Sequence, residues 1–329
     1  MTFLYFIIGL VIIFDFINGF HDSANSIACI VSTKVLSPIA AVSMAAFFNF
    51  IAFVIFPLRV ATTLFKGVVD PGVVNMNVIG AALIAAITWN LITWWWGLPS
   101  SSSHTLVGGL IGAAVTSTGW GSVISAGVIK IISFIFIAPI LGFAFGHFLS
   151  SMIMWIFRRM PSYNVDKLFR RFQLLSASAF SLGHGGNDAQ KSMGIIWLAL
   201  MINGLVASDS KVPPIWVVLS CQGAIALGTL FGGWRIVKTM GQRITKIKPF
   251  EGFCAEIAGS LTIFGATHWG IPVSTTHTIT GAIMGVGARK GASSVKWGVS
   301  RKIFIAWIVT MPVSGTIGAI MYLFFNWVN

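Results

Sequence analysis

Apolar positions along this chain come in long blocks separated by short polar or basic stretches. Blocks such as Phe3 to Phe14, Ile39 to Pro57, Val123 to Ile140 and Ile303 to Trp327 fit helices crossing a hydrocarbon core about 30 Å thick. Two polar tips break the pattern. "GLPSSSSHT" (Gly97 to Thr105) stands between "AALIAAITWNLITWWW" and "LVGGLIGAAV", and "GIPVSTTHT" (Gly270 to Thr278) repeats it. His277 follows His104 by 173 positions, and Pro272 follows Pro99 by the same offset.

Two further matches keep the order. "GFHDSAN" (Gly19 to Asn25) matches "GGNDAQK" (Gly185 to Lys191) at an offset of 166, and "KIISFIFIAPILG" (Lys130 to Gly142) resembles "KIFIAWIVTMPVSG" (Lys302 to Gly315). The chain therefore reads as two repeats, 1–157 and 172–329, joined by a basic linker over 158–171 that is expected to be cytoplasmic. Internal repeats in membrane proteins usually mark transporters with a site between the halves.

Composition strengthens the membrane reading. Of 329 residues 56% are apolar and only 9% charged, against about 25% charged in soluble domains, and the mean hydropathy is +0.88. The opening "MTFLYFIIGLVIIFDFINGF" has no basic n-region and no small-residue cleavage site, and is expected to be a retained span. Cys29, Cys221 and Cys254 lie in apolar segments without metal-ligand spacing and are expected to be core thiols. The net charge of +13 points to cytoplasmic loops, not to nucleic acid, because the basic residues fall between apolar blocks.

Three runs, Arg158 to Arg171, Arg235 to Lys248 and Arg289 to Lys302, hold five Lys or Arg each, so all three are expected on the cytoplasmic side. The chain between the second and third must then leave that side and return. Its last arm, Thr276 to Gly287, spans only about 18 Å as a helix, which makes Phe250 to Gly287 a re-entrant hairpin with its tip inside the membrane. "SSVKWGVSRK" (Ser293 to Lys302) has a counterpart, "WGSVISAGVIK" (Trp120 to Lys130), stripped of charge except for Lys130. That difference is expected if the first repeat lies the other way up. The predicted fold is an all-α polytopic membrane protein of about ten segments in two inverted-topology repeats. Each repeat has one interrupted helix, one plain span, one re-entrant hairpin and one final span, and both termini face outside.

Proline followed by Ser and Thr suits a helix start. Half-helices starting inside the membrane present free amides and about half a positive charge, so two such tips brought together form an anion site. Ser101, Ser102, Ser103 and Thr105 in the first tip, with Ser274, Thr275 and Thr276 in the second, are the candidate ligands; the alternative is that they only cap and pack. Asp15, Asn18, Asp22 and Asn25 share one helical face, where intramembrane acids mark ion or proton pathways. Carbonyls freed by a break at Gly19 would suit a hard monovalent cation there. The second repeat offers Asn187 and Asp188 after a break at "GHGG" (Gly183 to Gly186), with Lys191 in the place of Asn25. That ammonium either fills a site a mobile cation occupies in the other half, or neutralises Asp188. Glu256 is either a proton carrier or an interfacial anchor. His104 and His277 follow their tips and read as structural; His21 and His184 flank the expected breaks. No pair has zinc spacing with an accompanying acid, so a metalloenzyme is excluded. Trp94, Trp95 and Trp96 are expected to pack around the first hairpin.

"NGFHDSANSIACIVSTKVLSP" and "LGHGGNDAQKSMG" resemble the paired N-D signature of the PiT family of inorganic phosphate transporters. "GFCAEIAGSLT" (Gly252 to Thr262), "FIAWIVTMPVSG" (Phe304 to Gly315) and both tips are similar to that family too. The resemblance covers nearly the whole chain. It implies secondary active import of orthophosphate at the inner (cytoplasmic) membrane, coupled to sodium ions or protons, by a protein embedded in lipid; a homodimer is a further expectation. It also implies phosphate on the Ser/Thr tips and Asp22, Asn25, Asn187 and Asp188 at the ion and phosphate centre, with Asp22, Asn25 and Asp188 as the sodium ligands. Asn18, Lys191 and Glu256 complete the coupling set, and no cofactor is expected beyond bound sodium. The short linker, about Phe157 to Phe172, departs from members with a large central loop, and Lys191 stands where some members have asparagine.

Two other readings compete: a symporter of another oxyanion such as sulfate, and a passive anion channel. An intramembrane hydrolase using a tip serine is disfavoured, since a nucleophile and base are needed once and this constellation is duplicated.

Overall fold

The computed structural model describes residues 2–58, 60, 67–207, 210, 212–271 and 273–328; Pro272, the counterpart of Pro99, lies outside them. Among the described residues there is no β-strand and there are eleven α-helices: α1 (Thr2–Ser32), α2 (Pro38–Ile51), α3 (Met76–Trp96), α4 (Ser102–Thr118), α5 (Ser125–Ile156), α6 (Ser162–Ile202), α7 (Ile215–Phe231), α8 (Trp234–Lys238), α9 (Pro249–His268), α10 (Thr275–Ala288) and α11 (Trp297–Val328). By length and composition α1, α3, α5 and α11 can each cross a membrane, and α7 with α8 adds a fifth if counted as one bent span. The basic stretch read as a linker over 158–171 is mostly helix, because α6 begins at Ser162.

Polarity is arranged inside out. Ile129, Phe136, Ile140, Phe148, Ile308 and Ile320 cover the outer faces of α5 and α11 and are exposed, whereas Asp15, Asn18, Asp22, Asn25, Asn187, Asp188, Lys191 and Glu256 are each at most 2% exposed. That distribution is what lipid, not water, selects on the outside. All three cysteines are buried free thiols.

The basic runs gather at one end. Arg170 donates to the Lys34 carbonyl (2.5 Å) and Lys290 to the Lys246 carbonyl (2.5 Å). The Lys296 amide bonds Ile244 O (2.9 Å), and the Phe169 ring meets Phe250 at 6.2 Å. Both described chain ends lie together at the opposite end, where Phe3 packs on Phe325 (5.9 Å between ring centroids).

The expected interruptions are not where the glycines stand. α1 passes through Gly19 and α6 through Gly183 to Gly186 without a break. A Cβ on Gly19 would lie 2.2 Å from Ile225 O on α7, and one on Gly185 would lie 2.4 Å from Asn49 O on α2. These glycines let backbones approach closely, the usual role of small residues between membrane helices. The broken element is instead the one expected to be plain: α7 and the segment Trp234–Arg243 meet at 60° across Gly232 and Gly233. In the first half the block Ile39 to Pro57 yields only α2, 14 residues or about 21 Å, then a short 3₁₀ turn over Ala52–Val54. Of the three tryptophans, Trp94 packs edge-on against Phe20. Trp95 and Trp96 are mostly exposed, Trp96 meeting Trp89 edge-on at 6.3 Å and the Arg235 guanidinium lying 4.3 Å over the Trp95 ring.

Two hairpins, α3–α4 and α9–α10, enter from opposite ends. The start of α3 lies with the chain ends, since a Cβ on its Gly80 would touch Ile7 and Phe325. The start of α9 lies at the basic end, where Arg289, just past α10, pairs with Glu251 (3.2 Å). Each returning arm packs on the last helix of the other half. A Cβ on Gly112 of α4 would collide with Gly315 O of α11, and one on Gly285 of α10 with Phe143 O of α5.

Candidate functional site

Each hairpin turns at a glycine in the left-handed region, Gly97 and Gly270, both with φ of 66°. A Cβ is strained in that region, so glycine is the residue that closes these helix ends. Ser101 then caps α4, accepting from the His104 amide (3.4 Å), and Ser274 caps α10, accepting from the His277 amide (3.2 Å). Thr105 donates to Ser102 O (2.6 Å) and to Asn90 Oδ1 (3.2 Å) inside its own hairpin. Three of the seven candidate phosphate ligands, Ser101, Ser274 and Thr105, are thus occupied locally. The other four, Ser102, Ser103, Thr275 and Thr276, face α1 and α6.

What they meet there is reciprocal. Ser102 Oγ donates to Asp22 Oδ2 (2.9 Å) and Thr275 Oγ1 to Asp188 Oδ2 (3.2 Å). Asn25 Nδ2 donates to Thr276 Oγ1 (2.9 Å) and Thr275 Oγ1 (3.3 Å), while Lys191 Nζ donates to Ser103 Oγ. Asp188 follows Asp22, and Lys191 follows Asn25, by 166 positions; Thr275 follows Ser102, and Thr276 follows Ser103, by 173. Each aspartate therefore binds its own half's tip, and each residue three positions on binds the tip of the other half; Asp22 in addition accepts from Thr276 Oγ1 of the other tip (3.5 Å). Lys191 departs from the pattern by also holding Asp188 Oδ1 (2.5 Å) and Val273 O (3.3 Å).

The histidines contribute more than their sequence context indicates. His21 Nδ1 lies 2.7 Å from Asp22 Oδ1 and its Nε2 lies 3.1 Å from Thr93 Oγ1. His184 Nε2 lies 3.2 Å from Asp188 Oδ2, with Nδ1 3.2 Å from Asn49 Oδ1. One ligand atom each from Asp22, His184 and Asp188 fall within 4.8 Å of one another, close enough to share one cation. His184 precedes Asp188 by four positions on one helix face, a signal legible in the sequence. The His104 and His277 rings meet across the tips at a tilt of 33° (4.9 Å between centroids), and His277 stacks on Trp307 (3.9 Å).

Other expected residues stand further off. Asn187 donates to Thr267 Oγ1 (2.9 Å). Asn18 Oδ1 and Asn187 Oδ1 have no hydrogen-bond partner among the described residues. Asp15 accepts from Ser192 Oγ (2.5 Å) on α6, apart from the tips. Glu256 accepts from Ser176 Oγ (2.5 Å) and Gln173 Nε2 (3.3 Å), and Thr33 donates to Gln173 (2.8 Å). That places Glu256 in a separate network between α9 and α6.

Two carboxylates, one ammonium and two helix starts converge in a space sealed from solvent, with Ser102, Ser103, Thr275 and Thr276 at most 7% exposed. Each helix start is equivalent to about half a positive charge, so the fixed charges there sum to near zero. The model of the phosphate transporter family matches residues 18–318. The chain belongs to that family. Its relatives are transporters, not enzymes. One from Rhizobium meliloti is 55% identical over 96% of this chain and 94% of its own length; one from Bacillus subtilis is 46% identical over 95% and 94%. Both are named probable low-affinity inorganic phosphate transporters. A solved structure titled "The sodium-dependent phosphate transporter" superposes with a TM-score of 0.91 at 25% identity, covering 100% of both chains. In this member of the family the matched region contains Ser102, Ser103, Thr275 and Thr276 and both aspartates.

Proposed function

We propose that this chain imports inorganic phosphate across the cytoplasmic membrane by symport with sodium ions or protons, alternating access around a site between the two tips. The observation that carries the reading is the reciprocal set in which Ser102 and Thr275 hold Asp22 and Asp188 while Asn25 and Lys191 hold Thr276 and Ser103. Orthophosphate brings one to two negative charges into a space whose fixed charges nearly cancel. A buried charge without a partner is costly, so a cation has to accompany it. Asp22, Asn25 and Asp188 are the oxygen donors for a mobile cation beside the phosphate, and Lys191 supplies a fixed one. Burial of the site on all sides favours an occluded, coupled cycle over an open pore.

The offsets of 166 and 173 and the opposed hairpins support two inverted repeats, 1–157 and 172–329. With the basic end cytoplasmic, both termini face outside. The named substrates of the relatives in Rhizobium meliloti and Bacillus subtilis favour phosphate over sulfate. Purified protein in liposomes tests this: labelled phosphate uptake under an imposed sodium or pH gradient, with sulfate and arsenate as competitors. Accumulation driven by either gradient and blocked by arsenate but not sulfate is expected. Gradient-independent flux would indicate a channel, and sulfate competition another oxyanion.

A further inference from the structure

We infer that Asp15 is a proton-binding site of the transport cycle, so that phosphate entry is coupled to protons at a carboxyl group separate from the tips; this rests on the reading of the chain as a coupled phosphate transporter. Asp15 precedes Asp22 by seven positions on α1, two turns or about 10 Å, toward the end that holds the termini. It is fully buried. Ser192 Oγ donates to its Oδ1 at 2.5 Å, and Oδ2 accepts no hydrogen bond among the described residues.

The surroundings offer no dedicated cation. From α6 the charged groups nearby are Asp188 and Lys191, which are paired with each other. From α7 the only titratable group is the Cys221 thiol, beside Asp15. α2 and α3 carry no charged residue, and on α1 itself Asp22 is taken by His21 and Ser102. The acids of α9, the bases of the α8 segment and His277 of α10 lie at or beyond the Asp22 level, toward the basic end. An ionised carboxylate here has one hydroxyl donor, a weak thiol donor in Cys221 and no counter-ion of its own, a costly state. A proton on Oδ2 removes the charge and turns that oxygen into a donor. An acceptor without a partner, Asn18 Oδ1, stands one turn on along the same face of α1. Sodium fits worse, since hard cations select several oxygen ligands and a thiol is soft.

The connection to phosphate is short. Ser192, which holds Asp15, directly follows Lys191, which holds the tip residue Ser103 and Asp188. Negative charge arriving at the tips raises the proton affinity of Asp15, and by linkage a proton on Asp15 favours phosphate binding. Release of phosphate on the other side then releases the proton.

The test uses full-length protein in liposomes with three readouts: labelled phosphate counterflow, accumulation driven by an inward proton gradient, and lumenal acidification on adding phosphate. Asp15→Asn, checked as monodisperse in detergent, should keep counterflow within about twofold of the parent and lose the other two; Asp15→Glu should restore them in part. Ser192→Ala leaves the carboxyl in place but removes the donor that favours its charged form. The pH midpoint of uptake should move up by about one unit. Proton-driven accumulation by Asp15→Asn, loss of counterflow in a folded Asp15→Asn, no shift in Ser192→Ala, or parent uptake that follows sodium and ignores the proton gradient would each overturn the inference. If the parent shows no phosphate counterflow at all, it is the phosphate-transport reading that fails, and the proton site with it.

Discussion

Lys191→Asn would make the second half match the first at the position where the reciprocal sets differ. The ammonium is 3% exposed and 2.5 Å from Asp188 Oδ1, with Ser103 Oγ and Val273 O as its other acceptors. Its loss leaves Asp188 with His184 Nε2 and Thr275 Oγ1, both at 3.2 Å. Removing one partner of a buried pair costs about 3–5 kcal/mol, and the two remaining donors place this case at the low end. The effect on phosphate is separate. At about 4 Å and an effective dielectric constant of about 20, one unit charge is worth about 4 kcal/mol, close to a thousand-fold in affinity. A sodium ion filling the vacated place would return most of that. Phosphate binding to the purified variant, across a sodium series at constant ionic strength, should therefore be about a thousand-fold weaker than the parent's without sodium and rise more steeply with sodium than the parent's does. If Lys191→Asn binds phosphate with the parent's affinity and sodium dependence, Lys191 is only a structural counter-ion to Asp188 and the halves are functionally equal.

Gly19→Ala separates close packing from helix breaking: a Cβ 2.2 Å from Ile225 O should destabilise by about 1–3 kcal/mol, seen as a lower unfolding temperature in detergent, whereas a merely helix-weakening glycine would give a stabler alanine variant. Ser101→Ala should lower stability by about 1 kcal/mol through loss of the α4 cap and leave phosphate affinity nearly unchanged; a large affinity loss would place Ser101 in the binding set. Single cysteines at the exposed positions Gly121 and Ser293 should label with an impermeant maleimide from opposite faces of the membrane, and labelling from one face would rule out inverted repeats.

The site was more legible in the sequence than the helices that carry it. Offsets pair Asp22 with Asp188, Asn25 with Lys191 and one tip with the other, because duplication writes equivalent positions twice, whereas the cross-contacts between the tips and these side chains appear only in the folded structure. Gly19 misleads for a physical reason: a glycine that weakens a helix and one that admits another backbone look alike, and the reason for this one sits on α7 at Ile225. The bent span is likewise unmarked, since two consecutive glycines at 232 and 233 lie in an apolar block with nothing else to distinguish them. Ser102 and Ser101 are adjacent and chemically identical, yet one reaches Asp22 and the other caps its own helix, a division set by helix phase at the tip. The partners of Glu256 and Asp15, on α6 in both cases, depend on tertiary packing that no local pattern encodes.

Equilibrium binding of labelled phosphate to Ser103→Ala, Thr276→Ala and the double variant measures whether phosphate sits between the two tips. The two hydroxyls sit 173 positions apart at equivalent places and are held by Lys191 and Asn25. Losing one hydrogen bond to a charged ligand is worth about 1.5–3 kcal/mol, so each single variant should bind roughly 10- to 100-fold more weakly, and the double variant more weakly still. Parent-like affinity in all three would mean that phosphate does not bind there and reduce the tips to helix caps.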